Sequence, residues 1–217
     1  MKHCFITLLF KKERGIVMPP RPKCTKEKIV KEAFEMTREK GIESVAAREL
    51  GKRLGTSATP IFTHFRNMHE VELEVRKLAM KEFEEYTAGA LDFTPAFKQF
   101  GIRMVQFAKE EPKLFRVLYM QKHEESRNFE DLFTELGDTA VLCIELLQKD
   151  YDLTQKEAYL LFRQVWMHTF SVCVLEANNI CHFTDEEISE ILSMEFQGEL
   201  ILIRSGKYHL VATDRIN

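Results

Sequence analysis

The chain has 217 residues, 45% of them hydrophobic and 30% charged. That is the composition of one globular domain or two small ones, and it argues against a wholly disordered chain. No apolar run reaches the roughly 18–20 residues of a bilayer-spanning helix, which excludes an integral helical membrane protein. The five cysteines, Cys4, Cys24, Cys143, Cys173 and Cys181, are far apart and form no C-x-x-C. This argues against a disulfide framework and for a reducing, cytoplasmic setting.

The net charge of −3 is unevenly spread. Met18–Met68 carries 11 Lys/Arg against 6 Asp/Glu, a net of +5; residues 1–17 add +3, and residues 69–217 hold −11. A basic head on an acidic body points the head at something anionic.

Residues 1–17, MKHCFITLLFKKERGIV, lack the cleavage site of a secretory signal. Two readings stand: an upstream extension of a chain that starts at Met18, which is favoured, or a basic arm that follows DNA. Pro19, Pro20 and Pro22 hold an extended lead-in. Thr25 is the expected N-cap of a first helix with Ile29, Val30, Ala33, Phe34 and Met36 on its apolar face, stopped by Gly41. A second helix is expected over about 46–54, with Val45, Leu50 and Leu54 inward, Arg48 and Lys52 outward, and Gly55 as its stop. Ser57 is the next expected N-cap, for a short third helix whose core residues are Ile61 and Phe65 and whose Pro60 falls harmlessly in the first turn. A long fourth helix follows over about 68–88. Further helices are expected near 93–109, 111–122, 128–150, 154–180 and 184–204, with Thr154/Glu157 and Thr184/Glu187 reading as capping boxes. Only Tyr208–Ala212 alternates in a strand-like way. The expected class is all-α: an arm over 1–24, a helix-turn-helix head over 25–68, a helical body over 69–206 and a tail over 207–217.

Lys26–Lys77 resembles the DNA-binding domain of the TetR family of bacterial transcriptional regulators. The resemblance is carried by Ile29/Ala33/Phe34, Gly41, Leu50–Gly51, Gly55–Thr56–Ser57 and Phe62–Thr63–His64–Phe65. The chain departs from the family pattern at Phe62 (usually Tyr), Met68 (usually Lys, with Arg66 nearby as a substitute) and Pro60 (usually Thr). A second, shorter stretch, AKEEPKLFRVLYM over Ala108–Met120, resembles the ligand-binding half of one large TetR subgroup.

Small polar residues on the exposed start of a recognition helix suit base edges in the major groove. Ser57, Ala58, Thr59 and Thr63 meet that need. Lys26, Lys28, Arg48, Lys52, His64 and Arg66 are placed for phosphates, and Phe62 sits between core and interface. In the body, the resemblance implies an effector pocket, expected from Phe100, Met104, Phe107, Phe115, Leu118, Phe133, Trp166 and Phe170. Arg103, Arg116, His123 and His168 are candidate polar anchors. An apolar, aromatic lining implies a small hydrophobic effector. The segments within 154–203 are apolar on more faces than one protomer covers, so a homodimer is expected through Val172, Leu175, Ile188, Ile191 and Leu192.

No metal or cofactor is expected, because Cys173 and Cys181 lack ligand-pair spacing and the chain holds no G-x-S-x-G, P-loop or G-x-G-x-x-G. Nothing positive suggests an enzyme. The expected function is a dimeric one-component regulator, a repressor of a palindromic operator released by its effector. The alternative is a helical protein-interaction adaptor, distinguished by the absence of salt-dependent DNA binding.

Overall fold

The computed structural model describes residues 24–93, 95–121 and 129–207, less the side chains of 91, 129, 130 and 132–137. The readings of residues 1–17, of the Pro19, Pro20 and Pro22 lead-in, of His123, of the Phe133 side chain and of Tyr208–Ala212 lie outside the described residues. Among those residues the architecture is all-helical: α1 Lys26–Lys40, α2 Ala47–Arg53, α3 Thr59–Phe62, α4 Met68–Thr87, α5 Ala96–Glu110, α6 Pro112–Tyr119, α7 Phe129–Tyr151, α8 Gln155–Ala177 and α9 Asp185–Arg204.

The helix starts follow from local chemistry. The Thr25 side chain accepts from the N–H of Lys28 at α1. Thr154 and Thr184 form complete capping boxes with Glu157 and Glu187. A cap not anticipated is Asn67, whose carboxamide oxygen accepts from the N–H of Glu70 at α4. The Glu70 carboxylate in turn accepts the N–H of Arg66. Each such cap removes one orphan donor, worth about 1 kcal/mol. The third helix differs from expectation. It starts at Thr59 with Ala58 at the cap position, and Ser57 only accepts a long 3.4 Å bond from the Thr59 N–H. Ala58 already has helical φ and ψ, −71° and −17°, so Ser57 lies one residue too early to cap.

The core runs unbroken from head to body along α4. Val71 and Val75 pack with Ile29, Ala33, Leu50, Ile61 and Phe65, and Ala79 and Phe83 continue into the body. There Phe83 meets Phe107 edge-on at 5.2 Å and Tyr119 at 5.9 Å. Fully burying a side chain of this size stabilises by roughly 1.5–3 kcal/mol.

A polar clasp closes over this spine. Arg38 of α1 reaches Glu82 of α4 at 2.5 Å and Glu111, between α5 and α6, at 3.1 Å. Burial opposes the guanidinium charge, but Glu111 and Glu82 outweigh it and hold Arg38 more firmly protonated than usual. Lys113 of α6 donates to the Glu39 carbonyl at the end of α1, where the helix dipole favours a cation. Arg76 of α4 donates to the Leu118 carbonyl of α6 at 3.0 Å. The α8–α9 turn is built on one buried carboxylate. Glu176 accepts the N–H of Phe183 at 2.7 Å and lies 3.1 Å from His182 Nδ1.

Candidate functional site

The α2–α3 unit is shaped by two glycines. Gly55 takes φ +68°, a left-handed conformation that glycine adopts without strain. It lets the N–H of Thr56 reach the Gly51 carbonyl and its own N–H reach Lys52, the paired bonds that end α2. Gly51 then faces the chain entering α3, close to the backbone of Ser57 and Ala58. Ile61 and Phe65 anchor α3 in the core beneath.

That anchoring fixes what α3 displays. Ser57, Thr59, Thr63 and Arg66 are exposed, and Ala58 is half-buried. Phe62 is 48% exposed, so its ring belongs to the displayed face and not to the core. The Thr63 hydroxyl donates to the Pro60 carbonyl at 2.6 Å, which leaves it as an acceptor toward any partner. His64 is tied inward by Nε2, 3.1 Å from the Cys24 carbonyl, so it pins the start of α1 to α3.

The flanking cations are of two kinds. Arg48 and Lys28 are exposed. Lys52 pairs with Glu49 at 2.7 Å; Lys26 pairs with Glu74 at 3.3 Å and lies over the Phe65 ring. Those lysines hold the Glu49 and Glu74 carboxyls below their usual pKa. Exposed pairs of this sort are weak and screened by water, so a phosphate can displace the carboxylate. Arg53 plays a different part. It bridges Glu39 and Glu32 and locks α2 onto α1.

The body holds a cavity of about 200 Å³ between α5, α8 and α9. From α5 come Phe97, Lys98, Phe100, Gly101 and Met104; from α8, Val165, Trp166 and Thr169; from α9, Leu192, Ser193, Phe196 and Gln197. Pro95 and Tyr151 complete it. Of the expected pocket residues, Phe100, Met104 and Trp166 line this space. Phe107, Phe115 and Leu118 are instead packed solid in the core, and Phe170 stacks on Trp166 with ring centroids 5.2 Å apart. Among the candidate anchors, Arg103 lies over the Tyr86 ring, Arg116 lies outside the lining, and His168 faces Glu195 of α9 at 3.5 Å.

Residues 29–75 match the model of the family described as "Bacterial regulatory proteins, tetR family". Over those residues the chain carries that family's N-terminal domain. It is a DNA-binding transcriptional regulator whose helix-turn-helix is the α2–α3 unit. A solved structure of a TetR variant from Acinetobacter baumannii AYE in complex with minocycline is similar to it at 18% identity, with 85% of this chain and 97% of that chain covered and a TM-score of 0.49. No curated protein matches the sequence.

Behind this TetR-type head, the residues expected at a dimer seam are divided. Val172, Ile188 and Leu192 are buried within the protomer, while Leu175 and Ile191 are half-buried. The face that α9 turns outward carries Met194, Ile201 and Leu202, 69%, 65% and 43% exposed. Sequence reasoning also missed Lys98, Gly101, Ser193 and Gln197 at the cavity. The available signal was Gly101, a small residue inside the otherwise bulky apolar stripe of α5. No described helix is long and apolar enough to cross a membrane.

Proposed function

We propose that the protein is a homodimeric repressor that binds a palindromic operator and is released by a small apolar effector held between α5, α8 and α9. The observation that carries this reading is the division of the segment 57–66 around α3. Ile61 and Phe65 are buried, while Ser57, Thr59, Phe62 and Thr63 are exposed beside Arg48 and Arg66. A helix displaying small polar groups among cations suits base edges flanked by phosphates. Two such heads on one dimer read two half-sites about one helical turn apart. A ligand that changes their separation removes the bivalent gain.

The cavity supports the sensing half of this reading. Its α9 wall, Leu192, Ser193, Phe196 and Gln197, belongs to the same helix whose outer side carries Met194 and Ile201. An effector that displaces α9 therefore acts on the proposed dimer seam directly. Through Phe83, and through the Arg38 clasp, the same body is packed on α4 and α1.

The test is selection of genomic fragments by the purified protein, followed by titration at several salt concentrations. A repressor gives a specific site with two symmetric half-sites and an affinity that falls steeply with salt. Binding that shows neither leaves the protein-adaptor reading in its place.

A further inference from the structure

The lining of the α5–α8–α9 cavity has a chemical asymmetry that goes beyond its apolar character. Phe97, Phe100, Trp166 and Phe196 offer ring faces and edges, which suit a flat aromatic guest. Among the described residues, Lys98 is the one cationic side chain in the lining, and no Asp or Glu lines it. Lys98 has no ion-pair partner among the described residues. At the Tyr151 end of the lining, Asp150 and Arg204 act in opposite directions on the ring hydroxyl.

Two further features point the same way. Lys98 stands in the first turn of α5, whose N-cap, Pro95, supplies no side-chain hydrogen bond. The orphan N–H groups of that turn add positive potential at the same place. Gln197 brings a carboxamide with both donor and acceptor capacity. In volume, a 150 Å³ apolar cavity accepts benzene, so about 200 Å³ accepts one ring with a short polar arm.

We propose that this cavity takes a small aromatic monocarboxylate, its ring against Trp166 and Phe196 and its carboxylate against the Lys98 ammonium. This rests on the cavity being the effector site of the preceding section. A cation finds no carboxylate in the lining, and a neutral hydrocarbon leaves the Lys98 charge unused. A dianion such as a phosphate monoester needs more than the single cation present.

Trp166 is the chain's only tryptophan, so its emission reports occupancy without DNA. The experiment titrates the full-length protein with 3-phenylpropionate and 4-phenylbutyrate, each against its primary amide and the corresponding amine. Binding is followed by Trp166 emission and by thermal shift. The acids are expected to bind about tenfold more tightly than the amides, the size of one partly exposed charge-assisted contact, with the amines weakest. Lys98→Met is expected to bring each acid to about the affinity of its amide while leaving the amide unchanged. Lys98→Arg retains the preference. Acids that bind no better than their amides, or a preference that survives Lys98→Met, overturn the proposal. If none of the six compounds alters emission or melting while the head still binds DNA, the cavity reading falls together with it. If the acid preference is found but DNA stays bound, the ligand class stands and the effector-release reading is the one that fails.

Discussion

The Cα of Gly51 faces the backbone of Ser57 so closely that a Cβ on it would stand 2.9 Å from the Ser57 carbonyl carbon and 3.1 Å from the Ala58 nitrogen. Neither is the end of a flexible side chain. Both belong to the segment that sets the angle at which α3 leaves the turn. Gly51→Ala gains about 1 kcal/mol of helix propensity but meets an overpacking cost of roughly 1–3 kcal/mol. Because the neighbour is backbone, the cost is expected to win. Denaturant unfolding is expected to show a net loss of about 1 kcal/mol or more. DNA affinity is expected to fall further than stability alone explains, since α3 is displaced. A variant as stable and as tightly DNA-binding as the parent would show that the α2–α3 approach is looser than described.

Phe62 separates the displayed face of the α3 segment from the core. At 48% exposure it holds little of the fold together, so Phe62→Ala is expected to change stability by under ~1 kcal/mol. Operator affinity is nevertheless expected to drop by roughly 1–3 kcal/mol. Thr63→Ala is expected to cost a similar amount and to relax preference at a base pair that offers a donor, because the Thr63 hydroxyl hydrogen is already given to Pro60. Arg48→Ala is expected to weaken operator and random DNA alike and to reduce the salt slope by about one. Competition binding with operator and scrambled duplexes reads all three. Equal loss on both duplexes for Thr63→Ala would remove it from base readout.

These residues also mark where the sequence stops being legible. Caps such as Thr25, Thr154/Glu157 and Thr184/Glu187 are fixed by bonds spanning three residues, so a short window contains the whole cause. The inward set Ile29, Leu50, Ile61 and Phe65 follows from helical period. The period cannot say whether an apolar residue meets a neighbour or a void. Phe107 and Phe115 look no different in sequence from Phe97 and Phe196, yet the first pair fills the core and the second borders a cavity. Phe62 was equally ambiguous, because a short helix followed by a turn does not define a face. Lys98 was missed because its meaning depends on which carboxylates are absent around it, a property of three helices at once.

Glu199 of α9 gives a pH dependence opposite to that of the helix-capping Glu157. Its Oε2 is buried without a hydrogen-bond partner among the described residues. Burial, and then the nearby Glu195 charge, raise its pKa above the ordinary 4.5. The folded state thus binds this proton more tightly than the unfolded state does. The contribution is favourable below 4.5 and is lost as pH rises through the higher folded value. Glu157 works the other way. Hydrogen bonds from Thr154 lower its pKa, so its contribution is present above 4.5 and is lost as pH falls through the depressed value. Glu199→Gln is expected to raise the melting temperature at pH 7 and to leave it little changed at pH 4. Glu157→Gln is expected to lower it at pH 7 and to flatten the acid limb. Melting curves over pH 3–8 decide both, and a Glu199→Gln protein less stable than the parent at pH 7 would mean that the carboxylate is satisfied by a partner in the assembled protein.

The proposed dimer seam can be tested without disturbing the protomer. Met194, Gly198, Ile201 and Leu202 recur at positions i, i+4, i+7 and i+8, which places them on one stripe of α9. Nothing lies within 4 Å of a Cβ built on Gly198, so the stripe has a low point where a second helix can approach. A side chain as exposed as Ile201, at 65%, contributes little to protomer stability. Ile201→Glu is therefore expected to leave protomer unfolding unchanged within ~0.5 kcal/mol. In a dimer closed over this stripe the same carboxylate is buried without a partner, at a cost of several kcal/mol. Sedimentation is expected to show the variant as a monomer at concentrations where the parent is a dimer. Operator binding is expected to fall toward the affinity of a single half-site although the head is untouched. Leu175→Glu is the weaker test, because Leu175 is half-buried in the protomer and its loss mixes misfolding with dissociation. A soluble Ile201→Glu protein that still sediments as a dimer and holds its operator would move the seam away from this face of α9.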